Sequence, residues 1–274
     1  MLIKFDKMQA LGNDFVMIDA EQLPQNLKKP PQNFISTICS RNYGIGCDTL
    51  VLYWPKDGEI FATFFNPDGS EAEICGNAAR CLGLLMKKLF AASNIVLKTH
   101  QKSYPIQVDK EISVNMGQPS FDPEKIGIDC DCASSIFEKL NLPGEIYDAF
   151  CISVGNPHLV LFCENTFEKE KIMEIGASLE KHPLFKHRIN VSFAHIFDKN
   201  KIDLAVFERG AGLTFACGSG ACAAAAAAHI NHLISSDEIL VKQKGGDLKI
   251  CLDDDGNIFQ IGSASHVFWG EIDL

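Results

Sequence analysis

Positive charge is scarce in this sequence: 25 Lys and Arg stand against 35 Asp and Glu, for a net charge of −10. With no basic run longer than two residues, the chain has little to set against a phosphate backbone, and a nucleic-acid partner is not expected. Long apolar stretches are missing as well. The run of small residues from Ala221 to Ala228 falls far short of the roughly 20 residues that cross a bilayer. The charged opening Met1-Leu2-Ile3-Lys4-Phe5-Asp6-Lys7 leaves no apolar core for a secretory leader, so the chain reads as cytoplasmic, with no membrane partner. No Cys-x-x-Cys occurs either, which removes the usual local spacing of zinc ribbons and of thioredoxin-type redox pairs. The eleven cysteines are odd in number and scattered, so reduced thiols are expected rather than a disulfide framework. Cys130-Asp131-Cys132 reads as a loop, and His229 with His232 lacks a third ligand, so no metal site is assigned.

What is present is a globular composition, 46% hydrophobic and 22% charged over 274 residues, enough for one large domain or two. Leu2 to Phe5, Phe15 to Ile18, Thr49 to Trp54 and Ile60 to Phe65 read as strands. Phe34 to Arg41, Cys75 to Phe90, Phe167 to Lys181 and Cys217 to Leu233 read as four helices. From Ile239 onward, apolar runs broken at Gly245-Gly246 and Asp255-Gly256-Asn257 predict an antiparallel meander. The expected class is mixed α/β.

The two halves share an approximate repeat. Gly69-Ser70-Glu71-Ala72-Glu73-Ile74-Cys75-Gly76-Asn77-Ala78-Ala79 corresponds to Ala211-Gly212-Leu213-Thr214-Phe215-Ala216-Cys217-Gly218-Ser219-Gly220-Ala221, about half a chain away. This spacing predicts duplication into two similar domains, with turn signals at Gly117-Gln118-Pro119 marking the boundary. Each Cys-Gly stands where a turn hands over to a helix. First-turn amides there lack intrahelical partners and accept an anion, and the helix dipole favours thiolate over thiol. Two such mouths on one cleft would place a proton carrier on either side of an amino-acid Cα. Backbone amides would then take the place of pyridoxal or metal as the sink for carbanion charge. Taken one at a time, each cysteine could equally be a buried small hydrophobe. Cys39, Cys47, Cys81, Cys151, Cys163, Cys222 and Cys251 are assigned to packing, and Glu208-Arg209 reads equally as a solvated pair.

The stretches Gly12-Asn13-Asp14-Phe15, Asn66-Pro67-Asp68-Gly69-Ser70 through Cys75-Gly76-Asn77 to Arg80-Cys81, Gly155-Asn156-Pro157-His158, and Glu208-Arg209-Gly210 through Cys217-Gly218-Ser219-Gly220-Ala221 together resemble the diaminopimelate epimerases. Order and spacing match along nearly the whole chain. The resemblance implies two similar α/β domains related by a pseudo-twofold, each a sheet wrapped around a central helix, with the active site in the cleft between them. It places them at 1–118 and 119–263, with the final strand, about 264–274, returning to the first. It also implies a homodimer, no cofactor, and interconversion of LL- and meso-2,6-diaminopimelate on the route to lysine and peptidoglycan. Carried over by motif, Cys75 and Cys217 are the base and acid. Gly76, Asn77, Gly218 and Ser219 hold the reacting carboxylate, and Asn13 and Glu208 its amine. Asn66, Asn156, Asn190 and Arg209 hold the distal end, while His158 and Glu208 tune the cysteines. Three positions depart from the family pattern: Thr49 where Gln is usual, leaving at most a weak substrate contact, Ala78 where Gly is usual, and Leu213 where a polar residue is common. A related isomerase of proline, hydroxyproline or glutamate is the competing reading. A monocarboxylate would leave the distal polar set unpaired, at about 1–3 kcal/mol per group.

Overall fold

The computed structural model describes residues 1–56, 59–72, 74–100, 102–128, 140 and 142–273. Cys130-Asp131-Cys132 lies outside the described residues. The chain divides into two compact units, one formed by Met1–Asn115 with Gly262–Leu274, the other by Met116–Ile261.

In the first unit, β1 (Leu2–Ala10) and β2 (Asn13–Asp19) form a hairpin, α1 (Gln32–Cys39) crosses over, and β3 (Thr49–Lys56) returns parallel to β2. β4 (Glu59–Phe65) folds back antiparallel on β3, followed by the two-residue β5 (Glu71–Ala72), and α2 (Gly76–Phe90) leads to β6 (Asn94–Lys98), parallel to β4. β7 (Ser103–Val108) and β8 (Ile112–Gly117) close the meander.

The second unit repeats this order after a one-turn helix, α3 (Pro123–Ile126), which the sequence reading of four helices omits. β9 (Ile146–Ser153) pairs antiparallel with β10 (Pro157–Cys163), and α4 (Lys169–Glu180) carries the chain to β11 (Asn190–Asp198), parallel to β10. β12 (Lys201–Glu208), the short β13 (Gly212–Leu213), α5 (Gly218–Ile230) and β14 (Glu238–Gln243) follow, with β14 parallel to β12. β15 (Gly246–Leu252) and β16 (Ile258–Gly262) complete the antiparallel meander expected there. The last strand, β17 (Ser265–Asp273), pairs antiparallel with β1.

Packing explains both helix types. α1 and α4 are amphipathic and each covers one sheet face. Phe34, Ile35 and Ile38 bury against Val16, Ile18, Leu50 and Leu52, and Ile172 and Leu179 against Leu159, Leu161, Val191 and Phe193. α2 and α5 are central. α5 touches β9, β10, β11, β12, β14 and β15, and every residue from Ala221 to Ala228 is fully buried. A helix enclosed all round needs no polar face, and only small side chains let so many strands approach it.

Candidate active site

Cys75 and Cys217 are the N-caps of α2 and α5. Both have extended backbone, with φ/ψ of −106°/111° and −120°/110°. Neither helix has a capping side chain or an acidic residue in its first turn. Ser, Thr, Asp and Asn are the residues that ordinarily satisfy these first amides. Two helices that forgo them in the same way keep the amides of Gly76 and Asn77, and of Gly218 and Ser219, for another acceptor.

Around Cys75, the side chains are tied by hydrogen bonds of fixed direction. Cys75 Sγ lies 3.6 Å from Asn13 Oδ1, which Asn77 Nδ2 also approaches at 3.4 Å. Asn77 Oδ1 accepts from Arg80 Nη2 at 2.8 Å, and Arg80, fully buried, also donates to the carbonyl of Ser263. On its other side, Asn13 Nδ2 donates to Asp48 Oδ2 at 3.0 Å. Asp48 in turn accepts from Arg41, and Arg41 grips Asp14 through both Nη atoms at 2.9 and 2.7 Å. Lys7 donates to Asp14 and to the Gly46 carbonyl, which a left-handed glycine at φ 80° turns toward it. Burial alone would raise the Asp14 carboxyl, but hydrogen bonds from Arg41 and Lys7 hold it well below the usual carboxylate range. Asn66 is bonded to Ser70 through Nδ2 at 3.0 Å rather than to this cluster, and Thr49 is buried at the start of β3. Cys39 and Cys47, read as packing residues, are buried with their sulfurs 3.5 Å apart.

Around Cys217 the partners are different. Its backbone N–H donates to Gln243 Oε1 at 2.7 Å, and its Sγ lies 3.4 Å from Ser219 Oγ. Ser219 Oγ accepts from Asn156 Nδ2 at 3.1 Å and meets His158 Nε2 at 3.0 Å, while His158 Nδ1 meets Ser192 Oγ at 3.3 Å. His158 has no exposed surface; burial, and then the charge of Arg209, push its pKa down to about 3. The ring is therefore neutral near pH 7, donating to one serine and accepting from the other. It reaches Cys217 only through the Ser219 hydroxyl.

The thiol itself corrects the sequence reading. A helix start was expected to favour thiolate, yet Cys217 is pushed well above the ordinary cysteine range, first by burial and then by the Glu208 carboxylate. These outweigh the hydrogen bonds from Ser219 and the Gly220 amide that act the other way. Glu208 also accepts from Thr214 Oγ1 at 2.5 Å. Asn190 and Arg209 form a separate pair. Asn190 Oδ1 accepts from the Arg209 N–H at 2.9 Å, its Nδ2 donates to the Pro157 carbonyl at 2.8 Å, and the exposed Arg209 guanidinium donates to the His187 carbonyl at 3.1 Å.

A family model of diaminopimelate epimerase matches residues 5–121 and 150–267. The chain belongs to the diaminopimelate epimerase family. Relatives that carry the family name include those of Gluconobacter oxydans, 40% identical with 98% of this chain and 99% of the relative covered, and Methanococcus maripaludis, 38% identical with 99% and 100% covered. The resemblance drawn from the four motifs is thus confirmed at the level of the family. Among solved structures, a phenazine biosynthesis protein of the PhzF family from Bacillus anthracis superposes with a TM-score of 0.70 at 15% identity, covering 100% of both chains. A hydroxyproline epimerase from Agrobacterium vitis, solved with trans-4-hydroxy-L-proline, superposes with a TM-score of 0.67 at 12% identity, covering 99% of this chain and 91% of that one. At such identities the likeness is one of fold, and it agrees with the mixed α/β class expected from the sequence.

Asp48, Arg41 and Arg80 were not among the expected site residues, although Arg80 lies inside a quoted motif, Asp48 precedes Thr49, and Arg41 ends the first expected helix. Ser192 and Gln243 carried no local signal, because only strand pairing brings β11 and β14 to the foot of α5.

Proposed function

We propose that this member of the family interconverts LL- and meso-2,6-diaminopimelate without a cofactor, and that Cys75 and Cys217 serve opposite faces of one Cα. The observation that carries the reading is the pair of cysteine N-caps on helices with no capping side chain and no first-turn acid. The reacting carboxylate is the anion these amides accept, and as the Cα proton leaves, charge moves onto that carboxylate. Each well-placed donor contributes about 2.7–4 kcal/mol of stabilisation in comparable sites. Gly76, Asn77, Gly218 and Ser219 supply the donors. One cysteine must start as thiolate and the other as thiol. Burial and Glu208 favour the thiol at Cys217, so Cys75 removes the proton in that direction and Cys217 delivers one; the reverse reaction exchanges the roles.

Asn13 and Glu208 receive the reacting amine, and Asn66, Asn156, Asn190 and Arg209 the distal amino-acid end, a set with no use for a monocarboxylic substrate. His158 acts on Cys217 through Ser219, and Thr49 makes at most a marginal contact. The two lobes of this reading are residues 1–118 with 264–274, and 119–263. The setting is cytoplasmic synthesis of lysine and peptidoglycan precursors, in a homodimer with no nucleic-acid or membrane partner. The test is incubation of reduced protein with LL-diaminopimelate in D₂O, followed by NMR. One α-deuterium per inversion and formation of the meso isomer are expected; inversion without deuterium, or no meso product, overturns the reading.

A further inference from the structure

An amide side chain is ambiguous until its neighbours are chemically one-sided, and the chain of amides beside Cys75 is bounded at both ends by such neighbours. A guanidinium can only donate, so Arg80 requires the oxygen of Asn77 to face it, which turns Asn77 Nδ2 toward Asn13. A carboxylate can only accept, so Asp48 requires the nitrogen of Asn13, which turns Asn13 Oδ1 toward Cys75. The two constraints agree: every hydrogen bond from Arg80 to Asp48 runs in one direction. We propose that Arg80 and Asp48 are positioning residues that lock the Asn77 and Asn13 amides so that Asn13 presents its carbonyl oxygen, and never its NH₂, to the Cys75 sulfur and to the substrate's ammonium.

This rests on Cys75 and Asn13 having the roles proposed above and adds what sets their orientation. In the empty site the oxygen accepts the Cys75 S–H and favours the thiol. When a substrate ammonium takes the oxygen, the thiol loses that acceptor and gains a neighbouring positive charge, so it ionises, its proton passing to solvent. The base is thereby generated by the ligand that needs it. Charged groups face the cluster from several elements: Lys7 on β1, Asp14 on β2, Arg41 and Asp48 between α1 and β3, and Arg80 on α2. The test must therefore separate amide orientation from simple charge.

The pH dependence of Cys75 alkylation by iodoacetamide, read by peptide mass spectrometry on the substrate-free full chain, does so without requiring turnover. In Asp48→Asn the neighbour can donate as well as accept, which leaves the long 3.4 Å bond from Asn77 Nδ2 as the remaining hold on the Asn13 oxygen, so a share of the Asn13 amides turns and offers NH₂ to sulfur. The profile moves to lower pH, with alkylation roughly tenfold faster at pH 7. Asp48→Glu keeps an acceptor-only partner and the wild-type profile. Arg41→Gln removes an opposite charge at a similar place but leaves the amide locked, so its profile stays near wild type, whereas a purely coulombic effect would shift it upward as far as Asp48→Asn moves down. Buried Cys81 reports folding in each sample. If Asp48→Asn exposes Cys81, Arg80→Gln takes its place: Asn77 then withdraws its N–H, Asn13 Oδ1 becomes a stronger acceptor for the thiol, and alkylation slows. In active enzyme, Asp48→Asn raises KM more than it lowers kcat, because an NH₂ now faces the ammonium. An unmoved Cys75 profile with Cys81 still protected, or equal and opposite shifts in Asp48→Asn and Arg41→Gln, overturns the inference. The expected shifts in the variants, together with wild-type protein that does not epimerise diaminopimelate, would overturn the function above and leave the orientation standing.

Discussion

Gly220 offers a sharp test of how the Cys217 half of the site is held. It lies in the first turn of α5, where a Cβ would stand 2.8 Å from Val206 Cγ2 on β12, and 3.4 Å from both Ser192 Oγ and Cys217 Cβ. No real Cβ sits 2.8 Å from a methyl carbon, and the obstacle is a buried, β-branched side chain with little rotamer freedom. Gly220→Ala gains about 1 kcal/mol of helix propensity. Against that, overpacking costs about 1–3 kcal/mol, so a net loss of about 0–2 kcal/mol is expected. For a unit of this size that lowers Tm by up to several degrees, at about 2–4 °C per kcal/mol. The helix relieves the clash by moving off β12 and carries Cys217 and Ser219 with it. A displacement of a few tenths of an ångström should reduce kcat roughly tenfold. Gly83 on α2 supplies the control: its Cβ would meet Ile106 Cγ2 at 2.8 Å and Val108 Cγ2 at 3.2 Å, two turns along the helix from Cys75. Gly83→Ala should destabilise at least as much while changing kcat little. Thermal melts and steady-state epimerisation on the two variants decide the matter. A higher Tm with unchanged kcat for Gly220→Ala would show that Val206 is no wall.

His158, buried and neutral with a pKa near 3, gives a defined pH signature. Below about pH 6.5 the unfolded chain takes up a proton that the folded one refuses, so stability falls with pH at up to about 1.4 kcal/mol per unit. His158→Gln should flatten denaturant-unfolding midpoints between pH 6.5 and 5, and an unchanged slope would mean the ring is charged in the fold. Cys75→Ser and Cys217→Ser should each lower epimerisation by orders of magnitude, because a hydroxyl with no activating base is a poor proton acceptor; near-normal rates in a chiral assay for either would refute the two-cysteine reading. Arg209→Lys should damage turnover of diaminopimelate far more than its kept charge suggests, since Lys cannot grip a carboxylate with a planar fork. Equal kcat/KM would remove Arg209 from the site.

Legibility in the sequence tracked how local the determining forces were. The helix starting after Cys217 could be read because a run of alanines has few alternatives, although the helix has no apolar stripe to betray it. The meander of β14 to β16 could be read because exposed and buried positions alternate and Gly or Asn turns divide the strands. The parallel pairings of β2 with β3 and of β10 with β11 could not, since strands buried on both faces lose alternation and their partners lie across a helix. The candidate site shows the same division. The Cys-Gly repeat is written in adjacent residues, whereas the raised pKa of Cys217 comes from depth of burial and from a carboxylate on another strand. Dipole reasoning confined to one helix end missed both.

The pairing of β17 with β1 has a consequence in time. Residues 116–261 stand between the bulk of the first unit and its last strand, so synthesis at about 5–20 residues per second leaves the outer edge of β1 open for roughly 7–30 s. By the end of that interval the second unit has all its strands and can close before β17 is made, reversing the usual order in which the earlier part of a chain folds first. An open edge beside a forming core is a template for pairing with other chains. Expression of this protein should therefore be more sensitive to lesions in β17 than the modest burial of that strand suggests, with aggregation of nascent chains appearing before any loss in the Tm of the fraction that matures.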